Sequence, residues 1–190
     1  MHFGFDECDF SSSISILDYD SVLIYTGFLF EKYIEKPNYN CTSKEIYAGY
    51  ERVREQLIDF LQNGKNVFVI IGQSENDMFP NDTSFKEKLD RYSFLPTKIS
   101  LTHVSGSEIN YLDSAPESYK TFFKKTGKDS KYEAYFKGFQ AFDDALILAK
   151  IKNSNKSISA QITYSNGKII FLPQPCIKNS LKKPPNGLHM

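Results

Sequence analysis

Leu57-Ile58-Asp59-Phe60-Leu61-Gln62-Asn63-Gly64-Lys65-Asn66-Val67-Phe68-Val69-Ile70-Ile71-Gly72 holds the end of one element and the whole of the next. Upstream of Gly64 the apolar positions Ile46, Tyr50, Val53, Leu57, Phe60 and Leu61 recur at helical spacing, which predicts an amphipathic helix over 43–63. Thr42 or Ser43 suits its N-cap, and Gly64 stands where a C′ glycine belongs. Downstream, Val67 to Ile71 is apolar without alternation, the pattern of a strand covered on both faces in a parallel sheet. Ser21-Val22-Leu23-Ile24-Tyr25, after the turn-like Asp18-Tyr19-Asp20, reads as a second buried strand ending at Thr26-Gly27. Strand, helix, strand in this order predicts a βαβ unit with a right-handed crossover.

Further along, the spacing predicts a short helix over 82–92, a strand over 98–104, and short helices over 118–125 and 132–139. An apolar strand follows over 145–151. Ile158 to Tyr164 alternates, Ser165-Asn166-Gly167 supplies a turn, and Lys168 to Leu172 is apolar again. Asn-Gly between two strand-like runs predicts a β-hairpin. Pro173, Pro175, Pro184 and Pro185 end regular structure. The expected organisation is one domain over 1–178 and a tail over 179–190.

The chain has 190 residues, 41% hydrophobic and 24% charged, ordinary values for a globular domain that buries roughly two-thirds or more of its unfolded surface. No run approaches about 18 apolar residues, so no membrane span is expected. Met1 to Asp9 carries acids and no basic region, unlike a secretory signal. Cys8, Cys41 and Cys176 are an odd number without paired or zinc-like spacing, which points to a reducing, cytoplasmic setting. Lys+Arg and Asp+Glu balance at 23 each, yet Asp144 is the last acid and seven lysines follow it. The first 144 residues therefore carry 16 bases against 23 acids, a net of −7 against +7 beyond. That asymmetry suits an acidic partner of the C-terminal part or, more plainly, lysines that guard strand edges.

Three segments together resemble the class I glutamine amidotransferase-like superfamily: Asp18 to Gly27, Leu57 to Gly72, and Ala160 to Pro173 with its Asn166-Gly167-Lys168-Ile169-Ile170 core. The third is similar to the terminal hairpin of non-amidotransferase, trehalose-utilisation-protein-like branches. The resemblance implies an α/β fold, three-layer and flavodoxin-like, with a mainly parallel sheet and a C-terminal β-hairpin. Ligands in such folds bind beyond the C-terminal strand ends. Catalytic members carry a cysteine at a strand-to-helix elbow and a histidine after the terminal strand. Here those places read Gly72-Gln73-Ser74 and Leu172-Pro173-Gln174-Pro175. Glutamine does not titrate near neutral pH and cannot serve as the base that thiol chemistry needs. The resemblance therefore implies a non-catalytic branch.

The expected pocket gathers Thr26, Gly27, Gly72, Gln73, Ser74, His103 and Gln174, where backbone amides would hold an anion or small ligand. Two of these residues also have a plainer reading: a loop serine at Ser74, and a partly buried, hydrogen-bonded histidine at His103. A competing reading is a small hydrolase using Ser74 or Cys176 with His103, although G-x-S-x-G fails at Asn76. Another is nucleic-acid binding through the lysine- and aromatic-rich stretch 119–142 and the basic C-terminal third. Helical core packing with a solvated lysine face accounts for the same stretch. His2, Asp6, Cys8 and Asp9 suit no single metal, Asp18 with Asp20 and Asp143-Asp144 read as turn or cap residues, and no phosphate-binding glycine motif occurs. No cofactor or metal is expected. The functional expectation is a binding or regulatory module taking a protein partner or small ligand, within a longer protein of which Pro-Pro-Asn-Gly-Leu-His-Met is not the natural end.

Overall fold

The computed structural model describes residues 15–25, 43–71, 92–106, 109–124, 130–139, 145–173 and 175–177. A single 3-10 turn, Ile16–Asp18, is capped by Ser15, whose side chain accepts from the Leu17 amide at 3.3 Å. It leads into β1, Ser21–Tyr25. Helix α1, Ser43–Gln62, follows, then β2, Asn66–Ile71. Next come β3, Ile99–Gly106, β4, Ile109–Tyr111, and helix α2, Glu117–Lys124. The remainder is β5, Ser130–Phe139, β6, Leu146–Ile151, β7, Ser157–Tyr164, β8, Gly167–Pro173, and β9, Pro175–Ile177.

Among the described residues, nine strands form one mixed sheet with the path β1-β2-β8-β7-β5-β3, β6 pairing β4 and β7, and β9 pairing β5. Parallel pairing joins β1 to β2 and β2 to β8. The other six pairings are antiparallel. The protein is therefore an α/β domain, but the expectation of a mainly parallel sheet holds only for the β1–β2–β8 trio. Continuous apolar runs mark strands buried on both faces, and burial alone does not fix strand direction. The helix expected over 132–139 is also corrected, because these residues belong to β5. Lys131-Tyr132-Glu133-Ala134-Tyr135-Phe136-Lys137 alternates with a period near two, and aromatic residues favour strands once partners are present. β3, β7 and β9 supply those partners. The segment 82–91 lies outside the described residues, as does the tail.

Both faces of the β2–β8 pair are covered. Val67, Val69, Ile71, Ile169 and Phe171 face α1 and share one core with Tyr50, Leu57, Phe60 and Leu61. The turn after residue 91 contributes Tyr92, Phe94 and Leu95 to this core, with Tyr50 and Phe94 edge to face at 5.9 Å. On the opposite face Ile170 and Leu172 pack with Leu148 and Ala115, and Phe68, Ile70, Tyr111 and Tyr119 flank them. Burying each large side chain stabilises the fold by about 1.5–3 kcal/mol.

The end of α1 is fixed by local chemistry. Gly64 takes φ +77°, its amide donates to Leu61 O at 3.0 Å, and the Lys65 amide donates to Phe60 O at 3.3 Å. These are the two bonds of a Schellman motif. The apolar contact usual in that motif is replaced by the Lys65 ammonium, 5.1 Å from the Phe60 ring centroid. The same Nζ donates to Leu17 O at 2.6 Å and Tyr19 O at 2.7 Å. Gln56 Oε1 accepts from the Ile16 amide at 3.5 Å, so the N-terminal turn is held to α1 at two points.

Candidate functional site

The three parallel strands end side by side. Tyr25 is in register with Ile70, and Ile71 with Pro173. Chain direction therefore brings the strand ends Tyr25, Ile71 and Pro173 to the same side of the sheet. Pro173 has no amide to donate, so it suits the last rung of the ladder. The edge stands on an apolar floor. Ile71 is buried on the α1 side, and Leu172 on the other.

Thr26, Gly27, Gly72, Gln73, Ser74 and Gln174 themselves lie outside the described residues. His103 is in β3, its Cα in register with Ala134 of β5. β5 in turn pairs β9, with Tyr132 opposite Pro175. The His103 backbone is thus two pairings across and two residues along from the residue that follows Gln174, roughly 12 Å at ordinary strand dimensions. Cys176 lies in β9 opposite Lys131, on the other side of β5 from His103.

Below this edge, on the α2 face, Phe68 meets Tyr119 edge to face at 6.4 Å. Burial raises the Tyr119 hydroxyl above its ordinary pKa of 10.0, because the phenolate would lose hydration there. Phe68, Ile70, Tyr111 and Tyr119 are partly buried against the core of Ala115, Leu148, Ile170 and Leu172. They were not singled out in the sequence as a group. Phe68 and Ile70 sit inside an unbroken apolar run, and the two tyrosines belong to distant segments.

The lysine- and aromatic-rich stretch is divided between α2 and β5 rather than forming two helices. In α2, Tyr119 turns toward Phe68 while Lys120 stands 3.5 Å from Glu117, a surface pair of small energetic weight. Residues 125–129 and 140–142 lie outside the described residues. Asp18 ends the 3-10 turn, as its turn reading expects, whereas Asp143 and Asp144 are not described. Among the described residues no group of three or more His, Cys, Asp or Glu side chains is placed to hold a metal ion. No helix there is long and apolar enough to cross a membrane.

No protein-family model matches the chain, and no curated protein matches it. Among solved structures it is similar to the cytoplasmic protein STM1381 from Salmonella typhimurium LT2, at 15% identity and TM-score 0.45, over 86% of this chain and 63% of that one. A second similar structure is the cytoplasmic protein STM3548 from Salmonella typhimurium, at 16% identity and TM-score 0.45, over 89% and 67%. The chain thus spans about two-thirds of the length of either protein.

Proposed function

We propose that the protein is a non-catalytic binding or regulatory module that takes a small anionic ligand or a protein partner at the edge where β1, β2 and β8 end. The observation that carries this reading is the register of Tyr25 with Ile70 and of Ile71 with Pro173. It brings together the chain exits that lead to Thr26-Gly27, Gly72-Gln73-Ser74 and Gln174. The C-terminal ends of parallel strands are where open α/β sheets bind ligands, since main-chain amides there are not all used by the ladder. Helical segments on both faces of β2–β8 support a three-layer, flavodoxin-like grouping for this part of the sheet, in line with the amidotransferase-like resemblance. The absence of the superfamily's nucleophile and histidine from Gly72-Gln73-Ser74 and Pro173-Gln174 favours binding over catalysis. The proposed setting is cytoplasmic, consistent with three cysteines in no paired spacing.

The test is a titration of the isotope-labelled protein with inorganic phosphate, followed by amide NMR. Shifts clustered at residues 26–27, 72–74 and 174 would support the reading. Shifts scattered over surface lysines would sink it for anions. Ester or amide hydrolysis lost in Ser74→Ala or Cys176→Ser would replace it with the hydrolase. Single-stranded nucleic-acid binding that falls steeply with salt would replace it with the nucleic-acid reading.

A further inference from the structure

Two Asn-Gly steps, Asn63-Gly64 and Asn166-Gly167, meet at the C-terminal end of α1. Their side-chain amides both cap that helix: Asn63 Nδ2 donates to Asp59 O at 2.8 Å, and Asn166 Nδ2 to Gln62 O at 2.9 Å. The steps also lie close to each other, since a Cβ added on Gly64 would stand 3.8 Å from the Asn166 carbonyl oxygen. We infer that this seam is a modification site, in which spontaneous deamidation of Asn63 or Asn166 is held back by the cap and, once it occurs, dismantles the cap.

Asparagine followed by glycine is the sequence most open to this chemistry, because no side chain shields the glycine nitrogen. That nitrogen attacks Cγ of the asparagine and gives up its proton to a base in solution. The Cγ–Nδ2 bond breaks, ammonia leaves, and a five-membered succinimide remains. Water then opens either carbonyl, giving aspartate or isoaspartate. In the folded protein one of these nitrogens is hydrogen-bonded and the other belongs to a buried residue. The Gly64 amide donates to Leu61 O at 3.0 Å, and Gly167 is buried opposite Tyr164 at the hairpin end. Attack therefore waits for the seam to open, and its rate follows the opened fraction. The product differs from the reactant in two ways that matter here. A carboxylate cannot donate to Asp59 O or Gln62 O, and it places negative charge at the negative end of the helix dipole. Isoaspartate adds a backbone atom to a turn whose neighbour, Gly167, has no spare room.

The experiment is peptide mapping by mass after incubating the full chain in mildly alkaline buffer, folded and in denaturant. The expected result is conversion at 63 and 166 that is roughly tenfold slower, or more, in the folded protein. Equal rates in the two states would overturn the guarding role. As a second measurement, Asn166→Asp is expected to unfold at lower denaturant than Asn166→Ala, since both lose the bond but only one adds the charge. An Asn166→Asp midpoint equal to or above that of Asn166→Ala would overturn the claim that conversion dismantles the cap.

Discussion

Gly167 stands against the main chain of the α1 terminus: a Cβ at this position would lie 2.4 Å from the Lys65 carbonyl oxygen and 2.8 Å from the Leu61 Cα. Both neighbours are backbone, so neither has a rotamer to yield. Gly167→Ala is expected to destabilise the protein by about 3 kcal/mol through overpacking. Gly64→Ala meets only ordinary van der Waals contact, with Asn166 O at 3.8 Å, but keeps φ +77°, so it is expected to cost only about 1 kcal/mol. Chemical denaturation of the two variants checks the order, and a reversed order would contradict the seam.

Ser165 adopts φ +53° at the first of two loop positions between Tyr164 and Gly167. A positive φ there is the habit of glycine in tight hairpins. Ser165→Gly is expected to stabilise the protein by about 0.5–1 kcal/mol, the relief of backbone strain exceeding the added chain entropy. A thermal melt of the variant beside the parent is sufficient, with a higher midpoint expected.

Lys65 ties the N-terminal turn to the helix through Leu17 O and Tyr19 O while resting on Phe60. Lys65→Met keeps most of the aliphatic stem and removes both bonds and the cation. A loss of about 1–2 kcal/mol is expected. Amide exchange should accelerate first at residues 16–20, and uniform acceleration across the sheet would count against this local role.

Burial raises the Tyr119 hydroxyl above 10.0, so the folded state holds this proton more tightly than the unfolded chain. Its contribution is complete below the unfolded value and is lost as pH rises through the folded one. Tyr119→Phe should therefore show a shallower fall in stability above about pH 10. Urea midpoints measured through that range would test it, and identical slopes for variant and parent would refute the assignment.

The βαβ unit and the hairpin were legible in the sequence because each carries a local signal. Gly64 punctuates α1, the run Val67 to Ile71 has no polar break, and Asn166-Gly167 lies between two apolar runs. What escaped is decided by partners distant along the chain. Tyr132 to Phe139 offers aromatics at spacings that suit a helix or a strand, and the choice is made by β3 and β9 on either side. Strand direction is equally non-local: Leu146 to Ile151 reads as a covered strand, and its registers with β4 and β7 make it antiparallel. Of the expected site, the sequence gives a clear reason for the strand ends at Tyr25, Ile71 and Pro173. The contact between Phe68 and Tyr119 was hidden, because the two rings lie on segments about fifty residues apart and neither carries a motif.

β2 sits between β1, which precedes it in the chain, and β8, which is completed only at Pro173. During synthesis one side of this strand is paired early and the other stands open while some hundred residues are added. An apolar strand with a bare edge is a template for other chains. The order of elements thus sets a waiting time: the chain passes through a state whose hazard is greatest just before β8 arrives. Conditions that slow elongation after residue 71 should harm yield more than conditions that weaken the finished fold by the same amount.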